Sequence, residues 1–413
     1  MIRPRSAPIT SFVAFALLVA CRRDPGGSAT VDFWAMGREG EAVAELLPEF
    51  ERRHPGLHVR VQQIPWSAAH EKLLTAHVGG ALPDVFQAGN TWLPELVAVD
   101  ALERLDDRPI ARDDYFPGIL DTNVIDGVTW GVPWYVDTRL LFYRTDALPA
   151  PPRTWTEWET AMERVKERAG ADGYAILLPL REWQMPVILA LQRGADLLRD
   201  GDCRGDFQAA PFRDAFAFYV GLFRRGLAPR AGDTSVTNVY QDFARGWFAI
   251  YPSGPWNLGE FARRVPASVP WSTAAMPAPD DHYPGVSLAG GASLAVARRS
   301  TRKASAWALV EYLSDPAVEV EFHRLTGDLP ARRSAWRAPA LAGDERAQAF
   351  WLQLQYTRST PKIPEWERIA STVTQYAEAA IREDMTVDEA LAGLDHDVDL
   401  VLEKRRWLVG RGR

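Results

Sequence analysis

The sequence predicts an α/β protein built from two lobes. The chain has 413 residues, which exceeds the usual size of a single hydrophobic core. Beyond residue 29, strand and helix patterns alternate, which is typical of a lobe with a largely parallel sheet. A second alternation of helices and strands follows a proline-rich linker at 149–152. Two such blocks in one long chain favour two α/β lobes over one.

The first lobe is predicted from five alternating segments. Apolar residues predict strands at Thr30–Ala35 and Leu57–Ile64. Between them, apolar residues at helical spacing predict a helix over Glu39–Arg53, and Pro48 predicts a kink or a break within it. The remaining segments are a helix at Glu71–Gly79 and a buried strand at Asp84–Gln87. Ligands of such sheets lie beyond the carboxyl ends of the strands.

One segment is predicted to join the two lobes. Gly131–Arg144 is rich in β-branched and aromatic residues, so it predicts a strand. It also carries Trp134, Tyr135 and Asp137, which are side chains suited to recognition and not needed in an ordinary core strand. We expect this strand to cross between the lobes and to turn Tyr135 and Asp137 into a cleft. Arg139, two residues further on, is expected to brace the second lobe.

The second lobe is predicted from the segments after the linker. A capping box at Thr154 and Glu157 begins a helix that reaches about Arg168. Asp202–Gly205, which contains Cys203, is expected to form a surface turn. The other segments are a strand at Tyr174–Leu180, helices at Pro211–Arg225 and Val239–Arg245, a strand at Trp247–Tyr251 and a loop through Pro252–Trp256.

The remainder of the chain returns to the junction and ends in helices. Ser287–Ala297 predicts an apolar strand with two glycines, and Leu325–Arg333 predicts a non-helical passage. Predicted helices lie at Lys303–Leu313, at Glu365–Arg382, and after a capping box formed by Thr386 and Glu389.

The amino terminus is predicted to be an export signal. Arg3 and Arg5 precede an apolar stretch at Ile9–Ala20, which is too short to span a bilayer as a stable helix. Cys21 follows Leu-Val-Ala, as in a bacterial lipobox, so we expect it to become the lipid-modified first residue after cleavage. Residues 1–20 are therefore expected to form a lipoprotein signal peptide, and 21–29 a flexible tether. A plain secretory signal is the alternative.

Several classes of function lack support in the sequence. The net charge is −7 and there is no basic stripe, which argues against a nucleic-acid partner. No metal-binding, nucleotide-phosphate or serine-hydrolase motif occurs, so we expect no cofactor and no metal. With Cys21 acylated, Cys203 has no disulfide partner. A glycosidase that uses Asp137 and Glu182 is an alternative interpretation of the sequence.

Aromatic residues give the strongest functional signal. The chain has 16 tryptophans, of which we expect about half in the core. Flat indoles suit the C–H face of a sugar ring, while charged and amide side chains suit its hydroxyls. Candidate polar groups are Arg38, Glu39, Asn90, Asp137 and Arg332. Six tryptophans fall at predicted strand ends or in adjacent loops, and one or two of these are expected in the core: Trp34, Trp66, Trp92, Trp134, Trp183 and Trp256.

A set of short motifs, in order and behind a lipobox, carries a resemblance to a known family. The motifs are PEFERRHPG (48–56), LPDVFQ (82–87), LERLDD (102–107), GVPWYVDTRLLFYR (131–144), FARGWFAIYPSGPW (243–256), AWALVEYLSDP (306–316) and TVDEAL (386–391). Through them, the chain from about 30 to 407 resembles family 1 extracellular solute-binding proteins, the sugar-binding components of ABC importers, akin to maltose- and trehalose-binding proteins.

The resemblance implies a periplasmic-binding-protein-like fold with a ligand cleft between two lobes. Three crossings join the lobes, at about Val136–Thr138, Ser287–Gly290 and Leu329–Arg332. The N-terminal lobe is then 30–136 plus 290–329, and the C-terminal lobe 138–287 plus 332–413. Closure is a hinge motion driven by ligand contacts to both lobes.

The resemblance also implies ligand contacts in the first lobe and at the crossings. Arg38 and Glu39 resemble the polar contacts after the first strand, and Asn90 and Trp92 lie in the loop that supplies hydrogen bonds. Tyr135 and Asp137 match the aromatic and acidic residues of the first crossing, and Arg332 matches a basic contact at the third. Trp66 is a further candidate contact at the end of the second strand.

In the second lobe, Trp183 and Trp256 resemble stacking platforms, and Gly291 is implied to let the ligand approach the backbone. Two departures stand out. Gly37 and Gly89 occupy positions where maltose binders or other relatives carry an acid, which argues against maltose itself.

The resemblance implies a non-enzymatic role. The protein would capture a mono- or oligosaccharide as a monomer and deliver it to a membrane permease, while anchored through Cys21 on the periplasmic or outer side of the membrane. A non-sugar solute such as a polyamine, bound by the same fold, is the alternative.

Overall fold

The fold is seen in a computed structural model that describes residues 29–230 and 238–411. The predicted signal peptide, Cys21 and the tether up to residue 28 lie outside the described residues. Within the described ranges, no helix has the length and apolar character needed to cross a membrane.

The structure has 15 strands in its described part. They are β1 (Ala29–Met36), β2 (Leu57–Ile64), β3 (Val85–Gly89), β4 (Val124–Ile125), β5 (Val128–Thr129), β6 (Val132–Asp137), β7 (Leu140–Arg144), β8 (Leu198–Arg199), β9 (Arg204–Gly205), β10 (Ile250–Ser253), β11 (Trp271–Ala274), β12 (Ser287–Leu288), β13 (Gly290–Val296), β14 (Leu329–Pro330) and β15 (Thr357–Arg358).

The α-helices of the described part surround these strands, and three short 3₁₀ helices lie at Asn90–Trp92, Arg112–Asp114 and Arg333–Arg337. The α-helices are α1 (Glu39–Arg53), α2 (Trp66–Val78), α3 (Leu93–Ala98), α4 (Pro117–Asp121), α5 (Trp155–Ala169), α6 (Gln184–Gln192), α7 (Ala210–Arg224), α8 (Val239–Ala244), α9 (Trp256–Arg264), α10 (Lys303–Leu313), α11 (Pro316–Thr326), α12 (Pro339–Ala342), α13 (Glu345–Leu354), α14 (Trp366–Arg382), α15 (Val387–Val401) and α16 (Glu403–Arg411).

A six-stranded sheet forms one half of the framework, in the order β14-β6-β13-β3-β1-β2. Strand β1 is parallel to β2 and β3, as the alternating strand and helix pattern predicts. Strands β13, β6 and β14 join in antiparallel pairs. The sheet is therefore mixed, because three segments from later in the chain return to its edge. The expectation of a largely parallel sheet holds only for β1–β3.

The segment Gly131–Arg144 is not one strand but two. β6 ends at Asp137 in the six-stranded sheet, and β7 begins at Leu140 in a separate antiparallel sheet ordered β10-β7-β11. The chain thus passes from one sheet to the other at Thr138 and Arg139. Ser287–Ala297 divides in the same way, since β12 pairs with β15 whereas β13 pairs with β3 and β6.

The two passages are held together by hydrogen bonds. The Arg139 backbone N–H donates to Ser287 Oγ at 3.2 Å, and that hydroxyl donates to the Arg139 carbonyl oxygen at 2.8 Å. Both residues are buried, so the bonds are shielded from water. The geometry fixes the first two crossings side by side.

The third passage remains attached to the six-stranded sheet up to Arg332. β14 pairs with β6, and Tyr115 and Arg332 then form an isolated antiparallel bridge. Beyond Arg332 the chain leads into α12 and α13, and α13 packs against β7 and β11.

Several predicted elements differ in the structure. A single helix, α1, runs through Pro48, because Leu46, Leu47 and Phe50 bury its apolar face. Tyr174–Leu180 is not a strand: its N–H groups bond to carbonyl oxygens from two different segments. The predicted strand at Trp247–Tyr251 is shifted to β10.

Two helices begin at residues other than those predicted. Helix α2 begins at Trp66, five residues earlier than predicted, and α9 begins at Trp256 where a loop was expected. Cys203 lies in a turn between β8 and β9, as predicted, and its side chain is buried there. Six tryptophans are buried, fewer than half of the total: Trp134, Trp158, Trp271, Trp307, Trp336 and Trp366.

Candidate functional site

A cleft of about 580 Å³ lies where the chain passes between the two sheets. Its walls come from the carboxyl ends of β1, β3 and β6, from the start of β13, and from the first turns of α6 and α9. Of the predicted contact residues, Arg332 alone lies elsewhere. The others line the cleft: Arg38, Glu39, Trp66, Asn90, Trp92, Tyr135, Asp137, Trp183, Trp256 and Gly291.

A chain of buried hydrogen bonds holds Glu39 at the edge of the cleft. Its Oε1 accepts from Trp66 Nε1 at 3.1 Å and from the Tyr135 hydroxyl at 2.9 Å. Gln87 Nε2 donates to that hydroxyl at 2.8 Å, and Gln87 Oε1 accepts from the Met36 N–H at 2.7 Å. Glu39 Oε1 is thereby occupied by protein donors, which leaves Oε2 to accept from a ligand.

Burial changes the acid–base behaviour of two groups at this edge. Burial, followed by the nearby Glu39 carboxylate, raises the pKa of Tyr135 well above its usual value, so its hydroxyl remains a donor. Burial and then Glu39 also raise the pKa of Asp328 to about 8. Asp328 therefore carries a proton near neutral pH. Its protonated carboxyl can donate a hydrogen bond, whereas the Glu39 carboxylate can only accept one.

On the opposite wall, Arg139 connects two cleft residues, Asp137 and Trp256, to Glu182, which does not line the cleft. Its Nη1 donates to Asp137 Oδ1 at 2.8 Å, its Nη2 lies 3.8 Å from Glu182, and its guanidinium lies over the Trp256 ring at 4.7 Å. Burial by itself lowers the pKa of Arg139, but the negative charges of Asp137 and Glu182 have the larger effect and raise it above the usual value. The guanidinium fixes Asp137 and the Trp256 ring relative to each other.

Four of the six tryptophans at predicted strand ends reach the cleft. Trp66 and Trp92 meet edge to face, 5.6 Å apart, on the side of the six-stranded sheet. Trp183 packs edge to face on the buried Trp366, and Trp256 is 39% exposed. The other two are not at the site. Trp134 is fully buried, and Trp34 lies under Lys72 Nζ at 4.8 Å.

Two glycines make room for the indoles of the first wall. A Cβ at Gly89 would lie 3.0 Å from the Trp92 ring, and a Cβ at Gly37 would lie 3.0 Å from the Trp66 ring. Gly37 also has φ +51°, which disfavours other residues. The aromatic rings therefore occupy the space that an acidic side chain would need at either position.

Gly291 lines the cleft, and a steric constraint from the neighbouring strand applies to it. At φ +129°, its Cβ would lie 2.2 Å from the Tyr135 carbonyl oxygen. The close pairing of β13 with β6 therefore requires a glycine at this position, whether or not a ligand approaches its backbone.

Three cleft-lining side chains carry buried polar atoms that have no hydrogen-bond partner within the described ranges. These atoms are Asn90 Nδ2, Thr138 Oγ1 and Gln184 Oε1. The Asn90 side chain is oriented by Ser293, whose hydroxyl donates to Asn90 Oδ1 at 2.8 Å. Unsatisfied buried polar atoms are uncommon and costly, so their concentration here indicates a polar ligand.

Arg332 is not a cleft residue, which corrects the expectation from its motif. Its Nε donates to Asp114 Oδ2 at 2.7 Å, and its guanidinium lies 5.2 Å from the centre of the Tyr115 ring. Its backbone N–H donates to the buried Glu319. Arg332 thus ties the third passage to the six-stranded sheet.

Several cleft residues were missed by sequence reasoning. Arg139 lines the cleft although we expected it only to brace the second lobe. Thr138 and Gln184 follow Asp137 and Trp183 directly, so their proximity to predicted contacts was an available signal. Asp328 follows the C-cap of α11 and Glu260 lies within α9, and no sequence pattern marks either residue as a ligand contact. Nowhere in the described part do three or more potential ligands gather as a metal site would require.

Two sheets joined across a cleft, with aromatic and polar walls, define a two-lobed binding protein. Residues 35–320 match the model of the bacterial extracellular solute-binding protein family, and the chain belongs to that family. The α/β, two-lobed fold predicted from the sequence is confirmed by the solved structures that it matches.

The sugar-binding protein MalE from Xanthomonas citri is 47% identical to this chain. The two structures have a TM-score of 0.88, and the match covers 92% of this chain and 99% of that one. The GacH receptor of Streptomyces glaucescens has the same fold at 22% identity and a TM-score of 0.80, over 91% and 99% of the two chains. The diacetylchitobiose binding protein DasA of Streptomyces coelicolor is 25% identical over 82% of this chain and 81% of its own length.

Proposed function

We propose that this protein is the carbohydrate-binding subunit of an ABC importer. The observation that carries the proposal is the composition of the cleft. Four indoles from its two walls are interspersed with three buried polar atoms that lack protein partners. Sugar rings offer an apolar face to indoles and hydroxyls to polar atoms, so a mono- or oligosaccharide suits both sets.

Hinge closure would couple capture to delivery. Trp66 and Trp92 belong to the side of the six-stranded sheet, whereas Trp183 and Trp256 begin or precede helices α6 and α9 on the other side. A ligand that contacts both pairs stabilises the closed arrangement. The name of the 47% identical relative, a sugar-binding protein, supports this class of ligand.

The hydrolase alternative is not favoured by the cleft. Asp137 and Glu182 both face the guanidinium of Arg139, at 2.8 and 3.8 Å. This arrangement favours an ion-pair role over the separate acid and base of a glycosidase.

We further propose that Cys21 is lipid-modified, and that the protein acts as a monomer on the outer side of the membrane beside its permease. One relative, 24% identical over 88% of this chain, is described as an uncharacterized lipoprotein of Streptomyces antibioticus. Mass spectrometry of the cell-associated protein is expected to show an acylated Cys21, and Cys21→Ser is expected to release the protein from the membrane.

The test of ligand class is calorimetry on protein that has been unfolded and refolded to remove bound ligand. The panel comprises mono- and oligosaccharides, with spermidine and putrescine as cationic solutes. At least one saccharide is expected to bind with one-to-one stoichiometry. Binding of a polyamine alone, or of nothing in the panel, would contradict the proposal.

A further inference from the structure

A second pocket lies away from the cleft, on the face of the third passage. Its volume is about 490 Å³, and it shares no lining residue with the cleft. Two arginines, Arg333 and Arg337, and two tryptophans, Trp336 and Trp351, line it. This combination of guanidiniums and flat rings is unrelated to the carbohydrate site, so it requires its own explanation.

Neither arginine has a hydrogen-bond or ion-pair partner in the described part of the chain. No carboxylate there lies within 4.0 Å of either guanidinium, and no hydrogen bond from either side chain is formed. Arg333 Nε is fully buried in this unsatisfied state. Leaving a buried charged donor unsatisfied costs free energy, and a bound group that accepts from it removes that cost.

Neither of the two acids that line the pocket, Asp113 and Asp114, forms an ion pair with Arg333 or Arg337. Asp114, which also lines the pocket, accepts from Arg332 Nε at 2.7 Å, and from the Ser334 N–H at 2.9 Å and hydroxyl at 2.5 Å. The hydrogen bonds from Ser334 and Arg332 lower the pKa of Asp114 despite its burial. Asp113 is exposed at the rim. The pocket therefore keeps a local excess of positive charge.

The floor of the pocket is aromatic and fixed. The rings of Trp336 and Trp351 lie 5.4 Å apart, and Phe116 packs edge to face against both. The Trp336 N–H donates to the Pro330 carbonyl oxygen at 3.0 Å, which sets that ring's orientation. The Arg333 guanidinium lies 5.6 Å from the centre of the Trp351 ring, on its face.

From this arrangement we propose that the pocket is an effector site for a small organic anion with a flat ring. Guanidiniums bind carboxylate or phosphate oxygens in a bidentate manner, which suits Arg333 and Arg337. The ring of the ligand packs against the partly exposed Trp351 indole, which the buried Trp336 supports.

The position of the pocket links its occupancy to the relative orientation of the sheets. Asp113 and Asp114 belong to the segment that bridges to the six-stranded sheet through Tyr115 and Arg332. Trp351 belongs to α13, which is tied to the other half by hydrogen bonds such as Met276 N–H to Gln353 Oε1 at 2.7 Å. A ligand that contacts both walls binds the open and closed arrangements unequally, and so shifts their populations.

Phenyl phosphate is the probe, and calorimetry measures its binding to the full-length protein. Inorganic phosphate lacks the ring and phenol lacks the charge, so each is expected to bind more weakly than phenyl phosphate. Arg333→Gln and Arg337→Gln are each expected to weaken binding about tenfold, because each removes one charge-assisted contact. The matched control is Arg164→Gln, an exposed arginine on α5, which is expected to leave binding unchanged.

Arg337 is exposed, so Arg337→Gln keeps the test valid even if Arg333→Gln impairs folding. Small-angle X-ray scattering supplies the second readout: phenyl phosphate is expected to change the radius of gyration of the wild type and the Arg164→Gln variant, but not of Arg337→Gln. Absence of saturable binding, or equal binding by wild type and Arg337→Gln, would overturn the site. Binding without a change in the radius of gyration would overturn its role as an effector site.

Discussion

The Tyr135 hydroxyl donates a hydrogen bond to Glu39 Oε1 at 2.9 Å, across 96 residues of sequence. Tyr135 lies on β6, two residues before the end of the strand that leads into the first passage, and Glu39 begins α1. The bond therefore joins the strand that leads into the hinge to a carboxylate that faces the cleft. Gln87, fully buried on β3, holds the hydroxyl in place from the other side at 2.8 Å.

Tyr135→Phe is expected to lower both the stability of the apo protein and its affinity for the ligand. Gln87 Nε2 loses its acceptor, and Glu39 Oε1 loses one of its two donors. We expect the free energy of unfolding of the apo protein to fall by about 1–3 kcal/mol, the usual cost of leaving a buried group unsatisfied. Calorimetry with the identified sugar is expected to show weaker binding as Glu39 becomes less well positioned. Unchanged affinity would show that the network does not orient Glu39.

Gly89→Ala tests whether the glycine exists to accommodate Trp92. The backbone of Gly89 has φ −60°, which any residue adopts, so only the 3.0 Å contact of the new methyl group with the indole is at issue. Displacement of the ring is expected to cost about 1–3 kcal/mol of unfolding free energy. Ligand affinity is expected to fall as well.

Gly221→Ala on α7 is the control for Gly89→Ala. Its Cβ meets nothing within 4 Å, and helical Gly→Ala changes stabilise proteins by about 0.5–1 kcal/mol. Stability is measured by urea unfolding and affinity by calorimetry. A Gly89→Ala protein that binds sugar normally would show that Trp92 is not a ligand platform.

Trp256→Ala is expected to separate binding from stability. The ring is 39% exposed and rests on Arg139, so its removal from the apo protein costs about 0.5–2 kcal/mol, the value of a cation–π contact. Affinity for the sugar is expected to fall strongly. Trp134→Ala, in the core, is the contrast and is expected to cost about 3–5 kcal/mol. A Trp256→Ala protein with normal affinity and a large loss of stability would make Trp256 a structural residue.

Arg332→Gln tests the reassignment of this residue from the cleft to the third passage. The substitution removes the ion pair with Asp114, whose side chain is 23% exposed, and we expect a loss of about 1–3 kcal/mol in unfolding free energy. Sugar affinity at a temperature well below the unfolding transition is expected to stay within about twofold of wild type, because no ligand contact is lost. A large loss of affinity with unchanged stability would return Arg332 to the ligand site.

The sequence was informative where local pattern and burial agree. Helix α1 and strand β2 have the predicted bounds, since their apolar periodicity matches the faces they bury. The aromatic cleft was also predictable, because strand ends mark the ligand side of such sheets.

What the sequence left undetermined depends on tertiary contacts. Trp134 and Tyr135 are adjacent on β6, yet alternation along the strand buries Trp134 and leaves Tyr135 at the cleft. No periodicity indicates that Gly291 faces the Tyr135 carbonyl oxygen. The role of Arg139 depends on Trp256, more than 100 residues away, so its neighbours in sequence could not reveal it.

Asp328 gives the protein a predictable dependence on pH. Burial and the neighbouring Glu39 raise its pKa from 3.8 to about 8, while Arg38 acts in the opposite direction. The folded protein thus holds a proton that the unfolded chain releases near pH 4. This contribution to stability is fully present below the unfolded pKa and is lost as pH rises towards 8.

Asp328→Asn removes the titrating group but keeps a neutral side chain of similar shape. We expect the Tm of the wild type, followed by calorimetry from pH 5 to about 9, to fall more steeply than that of Asp328→Asn, with the difference levelling off above the folded pKa. Above that pH the variant is expected to be the more stable protein, because it does not carry a buried charge beside Glu39 and Asp137. Parallel profiles for the two proteins would show that Asp328 is ionised in the fold throughout this range.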